Sequence, residues 1–232
     1  MNRIFAIILT LIFNHCFSQV DNFNYPKIES TGKTFRDFIP TNWRLRDSVS
    51  GDFNKDNLKD VVLVVETKKP FIFEDKDCFS TEPFFPKMLI VCFKNPNESY
   101  RLSTTSNKLF GSCNWGIQGG DPFDNISERR NTFGITFLTG GTARNFLTYY
   151  FRFQNNDWYL IGAESLQYWA GHTDGKDAFY NEKINLITGV KEIYHEDQKG
   201  KRNGYKTVNI GKKSLAKLAD FTDDSTIIFG NK

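Results

Sequence analysis

Apolar positions come in short, regularly spaced runs along this chain. Val61-Val62-Leu63-Val64-Val65 and Met88-Leu89-Ile90-Val91-Cys92-Phe93 are unbroken, which predicts strands buried on both faces over Val61 to Glu66 and Met88 to Phe93. Trp43 to Val49 alternates and predicts a half-buried strand. Further on, Phe133, Ile135 and Phe137 alternate with Thr132, Gly134 and Thr136, and Leu147, Tyr149, Phe151 and Phe153 alternate with Thr148, Tyr150 and Arg152. Asn155-Asn156-Asp157 predicts a hairpin turn, with the chain returning over Trp158 to Glu164. Phe179 to Ile187 and Val190 to His195 flank Thr188-Gly189 as a second hairpin, and Gly204 to Ile210 adds a strand, as does Tyr100 to Ser103.

Helical signals are few. Thr34 to Ile39 predicts a single turn stopped by Pro40. Ser214 to Asp220 has an N-cap serine with Leu215, Leu218 and Ala219 at helical spacing and predicts a short helix. Residues 19–32 predict a polar, extended lead-in. Lys69 to Lys87 and the Gly-rich stretch Asn107 to Asn125 predict long loops. The sum is a mostly β fold: a single antiparallel β-sandwich or open barrel domain with short flanking helices.

The stretch between the first two strong strands changes the picture. Asp52, Asn54, Asp56 and Asp60 stand at positions 1, 3, 5 and 9 of a short loop that runs into Val61 to Val65. Alternating oxygen side chains in a tight loop converge on one point, and calcium takes about six to eight oxygen ligands in a flexible shell. The expected ligands are Asp52, Asn54, Asp56, the carbonyl of Leu58, and Asp60 directly or through water. The residue at position 12 is Leu63 rather than the bidentate Glu of an EF-hand. The plainer reading is a solvated Asp/Asn-rich turn, since these side chains bond their own backbone. With all five positions spent on the ion and no adjacent His or Glu to activate water, the expected role of Ca2+ is structural.

This loop resembles the strand-loop-strand calcium loop of integrin α-subunits and FG-GAP repeats, D-x-[DN]-x-D-x-x-x-D. That family usually has Gly at position 6, where the backbone turns with positive φ; here Asn57 stands there, and Asn is the non-Gly residue that best tolerates the region. FG-GAP loops come in arrays that close a propeller. No repeat is visible in this sequence, so the resemblance implies a single strand-loop-strand clip on another β fold. The wider layout is similar to that of secreted proteins of Gram-negative bacteria. It is carried by the loop, by Gly119-Gly120-Asp121-Pro122-Phe123, by Phe151-Arg152-Phe153 with Trp158 to Glu164, and by the Asn185-Leu186-Ile187-Thr188-Gly189 turn. That resemblance implies a periplasmic or outer-surface location and no particular activity.

The chain start agrees with export. Arg3 precedes an apolar run, Ile4 to Phe13, that is broken only by Thr10. This pattern predicts a signal peptide over residues 1–18, cut before Gln19 with Cys16 and Ser18 at −3 and −1. Cys16 as a lipoprotein cysteine is the alternative, and Asn14-His15 fits a lipobox poorly. The remaining chain, 19–232, is long enough for one domain with a sizeable core. Removing Arg3 leaves 29 Lys+Arg against 27 Asp+Glu, a balance that argues against nucleic acid or an anionic membrane as partner. No further apolar run is long enough to span a bilayer. Among the three remaining cysteines, Cys92 lies in a core-like strand, and Cys78 and Cys113, both in loop-like stretches, are the favoured disulfide pair.

Candidate chemistry beyond the loop is sparse. His172, in Gly171 to Asp177, and His195, in a charged turn, lack a partner motif. No G-x-S-x-G, H-E-x-x-H or phosphate-binding Gly-Lys-[ST] occurs. Asp121 and Asp124 can be read as a carboxylate pair for glycoside hydrolysis, or as ordinary Asx-Pro turn residues. Trp115, Tyr168 and Trp169 lie in or beside loop-like stretches and can be read as sugar-stacking platforms, or as core and edge packing. The expected function is a secreted or periplasmic, calcium-stabilised, non-catalytic binding domain for a glycan, a peptide or an envelope protein. The alternative is a secreted glycan- or peptide-directed hydrolase using acids of the 111–125 or 171–177 loops.

Overall fold

Val62 and Val64 face one way from their strand and Val61, Leu63 and Val65 face the other, and all five are buried. This computed structural model describes residues 23–71, 83–111, 114–169, 178–222 and 228–229. Residues 1–18, Cys78, Cys113 and His172 lie outside them.

The described strands form two antiparallel sheets. The first contains β1 (Thr31–Gly32), β2 (Trp43–Gly51), β3 (Asp60–Thr67), β4 (Lys87–Lys94) and β5 (Tyr100–Ser106), in the order β1-β5-β4-β3-β2. The second contains β6 (Phe123–Arg129), β7 (Thr132–Gly140), β8 (Ala143–Gln154), β9 (Asp157–Trp169), β10 (Phe179–Asn185), β11 (Val190–Glu196) and β12 (Arg202–Asn209), a seven-strand meander in chain order. The architecture is a β-sandwich of two separate sheets rather than a closed barrel.

One core lies between the sheets. Val62, Val64, Leu89, Val91 and Phe93 from the first meet Phe133, Ile135, Phe137, Tyr149, Phe151 and Trp158 from the second. The indole N–H of Trp158 donates to Ser103 Oγ across the sandwich at 2.9 Å. The back of the first sheet is covered as well. Ile28, Phe38 and Trp43 close over Leu63, Val65, Ile90 and Cys92, with Phe23 and Tyr25 packed against them. That cover explains why β3 and β4 carry apolar runs instead of alternation, and it makes the expected polar lead-in an apolar lid in part.

The hairpin turns follow the side chains that tolerate left-handed backbone. Asn155 and Asn156 have φ of 50° and 60°, and Arg130 and Asn131 have φ of 53° and 61°. Two consecutive positive φ values define the type I′ turn whose twist matches paired strands. Gly189 has φ of 69°, and a Cβ there would lie 2.4 Å from the backbone of Gly211, so the turn between β10 and β11 needs glycine on both counts.

Three expectations differ from the structure. Phe123–Arg129, partly assigned to a loop, is the strand β6; only Phe123 and Ile126 in it are buried, which is too little alternation to read. Residues 214–217 are extended rather than helical. The amide of Leu160 donates to the carbonyl of Ala216, and the amide of Leu218 to that of Trp158, both at 2.9 Å, along the edge of β9 that β10 has left. An open sheet edge outcompetes the modest helix propensity of so short a segment. His195 sits within β11, opposite Tyr180 and Asn203, not in a turn. Thr34 to Ile39 does form a turn, the 3-10 segment Phe35–Phe38, capped by Thr34 and Asp37.

Candidate functional site

The Asp-rich loop connects β2 to β3 at one end of the first sheet. Gly51 pairs with Asp60 across it, so the ladder closes where the loop begins. Lys55 and Asn57 have φ of 64° and 66°, which lets eight residues fold back on themselves. Asn is the non-glycine residue that best tolerates the left-handed backbone taken at Asn57.

The side-chain oxygens turn inward. The Asp56 amide donates to Asp52 Oδ1 at 3.0 Å and to Asn54 Oδ1 at 3.1 Å, so the oxygens of loop positions 1 and 3 share one N–H. The Asn57 amide donates to Asp52 Oδ2 at 3.1 Å, the Leu58 amide to Asp56 Oδ1 at 2.8 Å, and the Asn54 side-chain amide to Asp56 Oδ2 at 2.8 Å. Asp52, Asn54 and Asp56 therefore gather on one side of the loop, with Leu58 half-buried beside them.

Asp60 differs from the other three. It is fully buried, and its carboxylate binds three backbone amides: Phe53 at 3.0 Å and Asn54 at 3.4 Å on Oδ2, and Lys94 at 3.0 Å on Oδ1. Burial pushes its carboxyl above the usual carboxylate range, the three amides pull back, and the charge of Asp56 adds to the upward push. Oδ2 takes two of the amides and Oδ1 one, so Oδ1 is the oxygen of Asp60 that keeps acceptor capacity for a cation. Among the described residues, no group of three or more His, Cys, Asp or Glu side chains is placed to hold a metal ion. The donor set fits a hard cation in type and in the gathering of Asp52, Asn54 and Asp56, and Asp60 supplies the loop's brace.

Two contacts anchor this loop to the second sheet, and neither was legible in the motif. Phe53 points into the core, 1% exposed, with its ring centroid 5.8 Å from Trp158 and 6.1 Å from Phe133. The side-chain amide of Asn131, in the β6–β7 turn, donates to the carbonyl of Asp52. The signal for Phe53 was an aromatic between two ligand positions, where a solvated turn has no need of one.

The other candidates separate. Asp121 pairs with Lys87 at 2.9 Å and accepts the Phe123 amide at 3.1 Å, whereas Asp124 is exposed and takes the Asn125 side-chain amide at 2.6 Å. The two carboxyls thus serve different partners. Trp115 is stacked on Phe137 at 5.6 Å and packs against the core. Tyr168 is stacked on Phe146 at 6.1 Å and meets Phe179 edge-on. Trp169 remains 61% exposed at the end of β9. The buried Cys92 is a free thiol.

A second charged group went unread in the sequence. Arg44, Glu66, Lys87 and Asp121 form a chain of ion pairs at the other end of β2, β3 and β4. Its signal was Glu66 and Lys87 continuing the core-facing phase of Val62 and Val64 and of Leu89 and Val91.

No protein-family model, curated protein or solved structure matches this chain. Among the described residues no helix is long and apolar enough to cross a membrane.

Proposed function

We propose that this chain is an exported binding domain whose fold is stabilised by a calcium ion in the loop Asp52 to Asp60, and that it performs no catalysis of its own. The observation carrying this reading is the shared Asp56 amide. Asp52 Oδ1 and Asn54 Oδ1 accept the same N–H at 3.0 and 3.1 Å, so ligands of loop positions 1 and 3 are already drawn to one point. Asp52, Asp56 and Asp60 add three carboxylates within nine residues of chain. A divalent cation turns their mutual repulsion into ligation. Asp52, Asn54, Asp56, the Leu58 carbonyl and Asp60 are the proposed ligands, with water completing the shell. Phe53 links the ion to the core, so ordering the loop also holds the two sheets together. The export half of the reading rests on the sequence of residues 1–18.

Thermal melting in calcium and in chelator tests the reading. Extracellular calcium modules bind with Kd of roughly 10⁻⁴ to 10⁻³ M. At about ten times Kd, an ion that binds only the folded state adds RT ln 11, or roughly 1.4 kcal/mol. That corresponds to about 3–5 °C in Tm for a chain of this size. The shift should vanish in Asp56→Ala and be smaller with magnesium, which demands a tighter octahedron. Coincident melting curves in calcium and chelator, with no heat of binding, would reduce the loop to an Asp-rich turn.

A further inference from the structure

Val62 and Val64 on β3, and Leu89 and Val91 on β4, face the opposite sheet. The next pair in the same phase is Glu66 opposite Lys87. Both side chains are buried, 6% and 4% exposed, at the end of the space that the core fills. A buried ion pair seldom stabilises a fold more than an apolar pair of the same volume would. Stability therefore gives no reason for charge here, and a cleft gives one. Beside the pair opens a cavity of about 560 Å³, lined by Arg44, Arg46, Phe85, Ile117, Gln118 and Asp121. That volume lies within the range of about 300–1,000 Å³ common for small-ligand sites.

The charges described around the cleft do not balance. Glu66 is met by Arg44 at 2.7 Å, Arg46 at 3.7 Å and Lys87 at 3.8 Å, and Asp121 by Lys87 at 2.9 Å. Among the described residues, counting the buried Lys87 with the two lining arginines, three cations face two anions, which leaves one positive charge over. Another depression among the described residues, about 420 Å³ on the outer face of the second sheet, pairs Lys183 with Glu164 at 2.6 Å and is also lined by Arg129 and Glu192. Its two cations and two anions balance.

The two arginines are held ready. Arg44 places Nε and Nη2 on the same oxygen of Glu66, at 2.8 and 2.7 Å, and lies 5.6 Å over the ring of Phe85. Arg46 is the extra residue of a bulge, since Leu45 pairs with Val65 and Asp47 with Val64. Bulges re-aim side chains at sheet edges. Arg46 reaches Glu66 only through Nε and lies 5.8 Å over Phe123. Among the described residues its two terminal nitrogens have no protein partner, in a side chain that is 43% exposed. A guanidinium presents its donors as a planar fork that matches a carboxylate.

We propose that this cleft binds the carboxylate of a small ligand through Arg44 and Arg46, with the body of the ligand against Phe85 and Ile117. A monoanion cancels the single surplus charge, whereas a phosphate dianion overshoots it. The proposal names ligand chemistry for the binding domain inferred above, and rests on that reading for its non-catalytic role while standing apart from the calcium loop.

NMR titration of the ¹⁵N-labelled full chain with two monocarboxylates, galacturonate and benzoate, tests it, with galactose, benzamide and inorganic phosphate as controls. The expected result is saturable shifts at the Arg44 and Arg46 side-chain Nε and at Gln118 with at least one carboxylate, and none with its neutral counterpart. Arg46→Ala should weaken binding about tenfold or more, the loss of one charge-assisted contact, at unchanged Tm. If that variant melts early, Arg46→Lys replaces it, and a retained charge without the fork should still weaken binding. Failure of both carboxylates to saturate, equal binding of a neutral counterpart, tighter binding of phosphate, or full affinity in the Arg46 variants overturns the proposal. Run in calcium and in chelator, the same samples keep the two readings apart. Carboxylate binding without a calcium-dependent Tm removes the loop reading alone, and the reverse removes the cleft alone.

Discussion

The backbone amide of Lys94 donates to Oδ1 of Asp60 at 3.0 Å, tying the last acid of the loop to the end of a neighbouring strand. The other oxygen of the same carboxylate holds the amides of Phe53 and Asn54. Asp60 is thus a junction between the β2–β3 loop and β4, and its burial follows from that position rather than from the motif. Ion binding at this carboxylate would be transmitted straight into the ladder of the first sheet.

Replacing Asp60 should destabilise the fold even in chelator. Asp60→Asn keeps the shape but offers one acceptor oxygen, and turns its NH2 toward at least one of the three amides. Leaving a buried donor without an acceptor costs about 1–3 kcal/mol. Asp60→Ala abandons all three amides and should cost at least as much. Urea denaturation midpoints measure both, and a midpoint equal to wild type in Asp60→Ala would show that the amides find other acceptors.

Phe53 should matter more to stability than any ligand side chain. Its ring is 1% exposed between Phe133 and Trp158. Truncating a buried Phe to Ala costs about 3–5 kcal/mol through lost transfer energy and the cavity left behind. Phe53→Ala should also abolish the calcium-dependent rise in Tm, because the loop then loses its grip on the core. A Phe53→Ala midpoint within experimental error of wild type would mean that the loop and the core are independent.

Much of the sandwich was legible because its period shows in side chains. The runs Val61 to Val65 and Met88 to Phe93 announced strands covered on both sides, and the Asn155-Asn156 turn announced its hairpin. β6 was illegible because an edge strand that buries only Phe123 and Ile126 has almost no pattern. Leu215 and Leu218 fit helical spacing, yet a free edge at Trp158 and Leu160 claimed the backbone of Ala216 and Leu218. Loop chemistry was legible as a list of oxygens, whereas the brace from Lys94 needed the register of β3 on β4. The arginine cleft needed the same register, since Glu66 and Lys87 are 21 residues apart in the chain and become neighbours only through it.

Cys92 and Tyr25 make the fold sensitive to alkali. Burial pushes the Cys92 thiol from 9.0 up to about 12, and the Tyr25 hydroxyl from 10.0 up to about 12. Below pH 9 both groups are neutral in folded and unfolded chains, so their contribution to stability is fully present. Between about 9 and 12 the unfolded chain gives up its protons first, so stability falls as pH rises through that window. Urea midpoints should therefore drop from pH 8.5 to pH 11, less steeply in Cys92→Val. At pH 8 a thiol reagent should leave Cys92 unlabelled in the native protein, as read by peptide mapping, because the thiol is both 0% exposed and protonated.

The Glu66–Lys87 pair should reveal itself as charge kept at the expense of stability. Lys87→Met removes the cation nearest Asp121 and leaves Glu66 with Arg44 at 2.7 Å and Arg46 at 3.7 Å. Glu66→Leu is harsher: it buries the Lys87 ammonium with Asp121, whose side chain is 32% exposed, as its remaining charged partner, and releases Arg44 from its anchor. Breaking a buried pair by removing one partner costs about 3–5 kcal/mol, while replacing both partners with apolar residues is often neutral or stabilising. Asp121 is partly solvated, so Lys87→Met should fall at the low end of that range and Glu66→Leu at the high end. The double variant Glu66→Leu/Lys87→Met extends the apolar phase of Val62, Val64, Leu89 and Val91 by one more layer. It should therefore recover most of the loss, and a double-mutant cycle from urea midpoints should give a coupling nearly as large as the two single losses together. Strict additivity of the two single losses would mean that the pair is not energetically coupled, and that the charges at the end of the sandwich act independently of one another.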